Sequence, residues 1–231
     1  MTRLEEMLSR LGKRDSTMTC ALLLLERRGG HRIVETGCAR QPDNWDGDGM
    51  STLVFAEWAM AHGGFVDSVD SSQAAVELCW SLLGEDRLRP FAGRIALHCG
   101  DSVEYLQAND WPIDLLYLDS LDYPLGALRD CYGGREDIER ATTALAAMTE
   151  AQIVAAHHEL LAPSQEHARN ELAAALPQLG PGALVLIDDA GLPGGGKARL
   201  ARQLLAAEGW ECLAHDYQTL WSKPTAAEAA A

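Results

Sequence analysis

Apolar residues along the chain fall into two rhythms that alternate. Leu4, Met7, Leu8 and Leu11 stand at helical spacing with charges between them, which predicts a short amphipathic helix over residues 2–12. A second helix is expected over Thr17–Arg28, capped by Asp15 or Ser16 and stopped at Gly29-Gly30. Short continuous apolar runs then read as strands: Ile33-Val34, Phe65–Asp70, Ile95–Cys99, Ile113–Leu118 and Ala183–Ile187. Helical segments lie between them, from about Ser51 to Gly63, over Gln73–Leu83 and over Val103–Gln107. An alanine-rich stretch predicts a helix from about Glu136 to Leu161, a second over Ser164–Leu176, and a last one opening at Lys197. Trp210–His215 and Gln218–Lys223 read as a closing hairpin. Strand–helix alternation of this kind predicts an α/β fold with a doubly wound, mostly parallel sheet and an antiparallel C-terminal hairpin. Residues 1–30 add N-terminal helices, residues 31–223 form the main domain, 120–165 read as a lid or substrate-facing insertion, and 224–231 as a fraying tail.

Composition narrows the function. At 231 residues and 47% hydrophobic, the chain can bury a full core. A net charge of −15 argues against nucleic acid or an anionic membrane surface as partner, since both need basic patches. Six cysteines lie far apart without a Cys-x-x-Cys pair, which suits free thiols in a reducing compartment. No apolar run approaches ~18 residues and the N-terminus lacks a signal core, so a cytoplasmic, soluble protein is expected.

Candidate chemistry centres on residues 31–52. A strand reaches Glu35, then Gly37, then a polar loop with Gly47 and Gly49, and then a helix from Ser51. Glycine lets backbone approach a ligand closely, and a helix N-terminus offers unpaired N–H groups. The glycines do not follow the dinucleotide pattern Gly-x-Gly-x-x-Gly, and Glu35 would repel a pyrophosphate while suiting an ammonium or hydroxyl. S-adenosylmethionine therefore fits better than a dinucleotide. Asp70, Gly100-Asp101-Ser102, Asp119 and Asp188-Asp189 end the later strands and should converge on one crevice. Asp70 suits ribose hydroxyls, a reading compatible with its capping the following helix. Gly191–Ala198 nearly matches a phosphate loop, Gly-x4-Gly-Lys-[Ser/Thr], but Ala198 stands where the Mg²⁺-binding hydroxyl belongs.

The ordered set Glu35-x-Gly37, Asp70, Gly100-Asp101-Ser102, Asp119 and the closing hairpin resembles the Rossmann-like class I S-adenosylmethionine-dependent methyltransferases over about residues 15–223. That resemblance implies that Glu35, Gly37, Cys38, Gly49 and Ser51 surround the methionine part. It puts Asp70 and Ser71 at the ribose, Asp101 and Ser102 at the adenine edge, and Asp119 beside the cofactor. Asp119, Asp188 and Asp189 further resemble the three acids that hold Mg²⁺ in metal-dependent O-methyltransferases acting on sugars and natural products. The same resemblance puts the acceptor near Asp119 and makes Asp122 the nearby general base; His157, His158 and His167 are alternative catalytic bases. Read from the residues alone, Asp188-Asp189 could instead cap a loop, and His167 could pair with Glu171 on a solvated helix face.

The expected activity is methyl transfer from S-adenosylmethionine to a hydroxyl of a small molecule, with Mg²⁺ as an aid and a homo-oligomer left open. A nicotinamide-dependent oxidoreductase, an aminopropyl transferase and a non-catalytic nucleoside-binding module are the competing readings.

Overall fold

In the computed structural model, the described residues are 1–45, 50–84, 93–121, 150–225 and 228, apart from the side chains of residues 150–160 and Pro193. Gly47, Gly49, Asp122, the Tyr132-Gly133-Gly134 segment, helix positions 136–149 and the side chains of His157 and His158 lie outside them.

The chain opens with α1 (Arg3–Ser9), a 3-10 turn (Gly12–Arg14) and α2 (Asp15–Arg27). Thr2 and Glu5 close a reciprocal capping box on α1. There follow β1 (Arg32–Thr36), α3 (Ser51–His62), β2 (Phe65–Asp70), α4 (Gln73–Leu83), β3 (Ile95–Cys99), α5 (Ser102–Ala108) and β4 (Ile113–Leu118). The C-terminal part contains α6 (Glu150–Ala175), β5 (Leu179–Ile187), α7 (Arg199–Ala207), β6 (Glu211–His215) and β7 (Thr219–Ser222).

The strands form one sheet in the order β3-β2-β1-β4-β5-β7-β6. Pairing is parallel from β3 through β5 and antiparallel where β7 joins β5 and β6. Both faces are covered, and the two-residue period of a strand divides the core accordingly. Ile33, Leu115, Tyr117, Leu184 and Leu186 pack with residues of α1–α4 on one face. Val34, Leu116, Leu118, Val185 and Ile187 pack with α5, α6 and α7 on the other. The N-terminal helices thus belong to the main core. No helix among the described residues is long and apolar enough to cross a membrane.

One expected boundary is corrected. Instead of two helices parted at Pro163, α6 runs unbroken through that proline. Leu161, Ala168, Leu172 and Ala175 are buried along one helical face, and α6 packs against both α5 and α7. Continuous burial of this stripe outweighs the cost of an interior proline, ~3 kcal/mol from the lost backbone hydrogen bond and the ring's clash with the preceding turn.

The sheet positions the site through its connections. From the central β1 the chain moves outward to β2 and β3, then returns to β4 and β5 on the other side, so the strand order reverses between β1 and β4. At that point Gly37 has φ +85° and lies against the end of β4: a Cβ there would fall 2.5 Å from the Asp119 carbonyl oxygen. Only glycine satisfies both the conformation and the approach. Gly37→Ala should therefore destabilise the fold by ~2–4 kcal/mol, measured as a lowered midpoint of urea unfolding.

Candidate active site at the carboxyl edge of the sheet

A crevice of about 350 Å³ opens where the strand order reverses. Its walls come from successive strand ends: Gly37 after β1, Val69, Asp70 and Ser71 after β2, Gly100, Asp101 and Ser102 after β3, and Asp119, Ser120 and Leu121 after β4. Arg40 and, from α6, His167 complete the lining. Open parallel sheets bind their ligands at this edge.

The Asp70 carboxylate braces two loops at once. It accepts hydrogen bonds from the backbone N–H of Cys38 at 3.1 Å and of Ser72 at 2.8 Å. Each carboxylate oxygen has a second lone pair, so Asp70 can still receive donors from a ligand. Asp101 is the N-cap of α5, accepting from the Glu104 N–H at 2.9 Å, while its residue remains exposed at the crevice.

Glu35 is placed differently from expectation. It does not line the crevice but is fully buried beneath α3. Ser51, Thr52 and Ser68 donate to its carboxylate at 2.5–2.6 Å, tying β1, β2 and the first turn of α3 into one polar knot. Ser51 and Cys38 are likewise buried and absent from the crevice walls. Apolar surroundings disfavour the charged form, so burial raises the Glu35 carboxyl to about 7 although the three hydroxyls pull it back.

The three aspartates expected to hold a metal do gather at the ends of β4 and β5, but around a lysine. Lys197 is buried to 2% exposure, with Nζ 2.6 Å from Asp119 Oδ1 and 3.6 Å from Asp189 Oδ2. Asp188 faces the buried Arg14 guanidinium at 3.9 Å, and its Oδ1 has no hydrogen-bond partner. Tyr117 donates to Asp119 Oδ2 at 3.1 Å, and Tyr217 donates to Asp189 Oδ1. Among the described residues no group of three or more acids, histidines or cysteines is arranged to hold a metal ion. An ammonium therefore stands between two of the three acids expected to hold Mg²⁺, Asp119 and Asp189, while Asp188 faces a guanidinium. Burial alone would lower the Lys197 pKa, but Asp119, Asp189 and Asp188 together hold it above its ordinary value, so the side chain is charged.

His167 lies with Ser102 and Glu171. Its Nε2 is 3.2 Å from both Ser102 Oγ and Glu171 Oε1, and Ser102 donates to the same Glu171 oxygen at 2.5 Å. The hydrogen bond to Glu171 raises the His167 pKa. His167, expected as a base, thus stands at the crevice wall hydrogen-bonded within the Ser102–Glu171 pair.

No protein-family model and no curated protein matches the chain by sequence. Solved structures do match by shape. The methyltransferase PaMTH1 of Podospora anserina, bound to S-adenosylhomocysteine, superposes with a TM-score of 0.57 at 11% identity, covering 97% of this chain and 89% of that one. An O-methyltransferase from Bacillus cereus, also with S-adenosylhomocysteine, gives 0.52 at 15% identity over 95% and 88% of the two chains. The chain has the class I methyltransferase fold. MycE, from the mycinamycin biosynthetic pathway and solved with Mg, S-adenosylhomocysteine and mycinamycin VI, gives 0.54 at 16% identity. It is matched over 97% of this chain and 55% of MycE.

Within this methyltransferase fold, the sequence reading passed over Lys197 and Arg14, whereas the expected pairing of His167 with Glu171 is present. Lys197 carried a signal, the glycine-rich segment before it, but that segment read as a failed phosphate loop. Arg14 carried none, because a lone arginine between two helices looks solvated.

Glu35 generates a prediction on stability. Its carboxyl is raised to about 7 when folded, above the ~4.3 of an exposed glutamate, so folding takes up a proton between those values. Its contribution to stability is full below pH ~4.3 and declines by up to ~4 kcal/mol as pH rises through ~7. Urea unfolding at pH 5 and pH 8 should show that Glu35→Gln loses less stability over this interval than the unaltered chain.

Proposed function

We propose that this protein transfers a methyl group from S-adenosylmethionine to a hydroxyl oxygen of a small-molecule acceptor. The observation that carries the reading is the convergence of Gly37, Asp70, Asp101, Ser102 and Asp119 on one crevice at the strand-order reversal, in a fold shared with structures bound to S-adenosylhomocysteine.

Roles follow from the chemistry of each group. The backbone at Gly37, which lines the crevice, approaches the methionine part. Asp70 receives the vicinal ribose hydroxyls on its free lone pairs. Asp101 and Ser102 border the adenine edge, with His167 beside Ser102. Asp119 faces the crevice with its side chain 16% exposed, next to the place where the acceptor must lie to meet the methyl group. Its carboxylate orients the acceptor hydroxyl and receives its proton as the oxygen attacks. The sulfonium is already reactive, so rate enhancement comes chiefly from aligning oxygen, methyl carbon and sulfur.

Calorimetric titration with S-adenosylmethionine in EDTA should give micromolar binding. Asp70→Ala should weaken it by on the order of tenfold, ~1.4 kcal/mol. Absence of binding by the unaltered chain would remove the cofactor assignment. Incubation with a panel of hydroxylated and aminated small molecules, followed by assay of S-adenosylhomocysteine, then tests transfer to oxygen: release only with amines would overturn that part of the reading.

A further inference from the structure

The segment that brings Lys197 to the acids is built for that purpose. Gly194, Gly195 and Gly196 all have positive φ, at 70°, 81° and 52°. A Cβ on Gly196 would fall 1.6 Å from the Asp189 carbonyl oxygen, so the loop folds back on the residue that its lysine then pairs with. Asp189 itself holds a left-handed φ of 57°, uncommon outside glycine. The Leu192 N–H donates to the Asp189 carbonyl, those of Gly195 and Gly196 donate to the Leu192 carbonyl, and Gln165 of α6 donates to the Gly196 carbonyl at 3.0 Å. Backbone conformation is thus committed over several residues to place one ammonium. A lysine serving only as a surface helix residue would need none of this.

We infer that Lys197 is a built-in replacement for a divalent cation: its ammonium occupies the bridging position between the β4 and β5 acids, and the protein works without a metal. Three features on different elements support this. Nζ contacts oxygens of both Asp119 and Asp189, the position a bridging ion must take. The third acid, Asp188, faces a second buried cation, Arg14. Tyr117 and Tyr217 donate to the outer oxygens of Asp119 and Asp189, so each oxygen of these two carboxylates already has a partner from the protein. A Mg²⁺ ion takes about six oxygen ligands at ~2.1 Å and repels a neighbouring ammonium. Of the six oxygens of the three aspartates, Asp188 Oδ1 is the one without a hydrogen-bond or ion-pair partner. Lys197 is too enclosed to touch an acceptor and is a positioning residue, acting through Asp119. The consequence for turnover rests on the methyl-transfer reading; the occupancy of the cation position does not.

The test uses metal binding and thermal unfolding of the full chain, neither of which requires cofactor or acceptor. Mn²⁺ binding followed by electron paramagnetic resonance, and Tm in EDTA against millimolar Mg²⁺, should show no site and no shift in the unaltered protein. Lys197→Ala removes the ammonium and leaves three acids facing one another, so its Tm should be low in EDTA and rise with Mg²⁺. Its Mn²⁺ affinity should exceed that of the unaltered chain by at least on the order of tenfold. The double variant Lys197→Ala/Asp189→Asn should lose that response, which a merely structural lysine would not produce. Lys197→Arg keeps a cation and should stay insensitive to metal, giving a folded comparison should the alanine variant fail to fold. Stoichiometric Mn²⁺ binding by the unaltered protein that disappears in Asp189→Asn would overturn the inference, as would a folded Lys197→Ala that gains no metal affinity. Either result would leave S-adenosylmethionine binding in EDTA as the separate test of the methyl-transfer reading.

Discussion

Carboxylates collected at the ends of adjacent buried strands repel one another, and the protein must supply positive charge to keep them there. β4 and β5 are neighbours in the sheet, so Asp119 and the Asp188-Asp189 pair emerge side by side. In a low-dielectric setting such a cluster is unstable without partners. Lys197 enters from the loop after β5, and Arg14 enters from the turn between α1 and α2. Much of what lies around the sheet's carboxyl edge follows from this requirement. It explains why the N-terminal helices are drawn into the core, and why hydroxyls of Tyr117 and Tyr217 point inward. A chain of hydrogen bonds extends the arrangement, since Gln218 donates to Tyr117 at 3.1 Å and receives from Thr17 of α2 at 2.5 Å.

The crevice beside this cluster is assembled from the same strand ends but has the opposite character. Its carboxylates, Asp70 and Asp101, each accept backbone N–H bonds yet keep contact with the opening. Asp119 belongs to both regions, held by Lys197 on one side and bordering the crevice on the other. It couples the charge-balanced interior to the position where an acceptor would lie.

The strands and most helices were legible because two-sided burial writes continuous apolar runs, and each run is ended by an acid or glycine. β2, β3, β4 and α4 have the limits expected from Phe65–Asp70, Ile95–Cys99, Ile113–Leu118 and Gln73–Leu83. Failures arose where long-range contacts override local signals. Pro163 reads as a break, but the buried stripe of α6 carries the helix through it. Glu35 reads as a ligand contact because it stands beside Gly37; strand alternation turns it under α3, where Ser51, Thr52 and Ser68 await it. The glycines before Lys197 are visible in the sequence, but its contact with Asp119, 78 residues away, has no signature in a single chain.

The polar knot at Glu35 has a further meaning for the variable part of the molecule. The loop between β1 and α3 is fastened at its two ends to one carboxylate: β1 contributes the glutamate, and α3 contributes the first two hydroxyls of its opening turn. Whatever path the intervening residues take, the strand end and helix start keep their relation to each other and to β2 through Ser68. Loop length and composition are thereby decoupled from the geometry of the scaffold. Insertions or exchanges within the loop interior are a natural place for evolution, or an engineer, to reshape the rim of the crevice while its floor stays fixed.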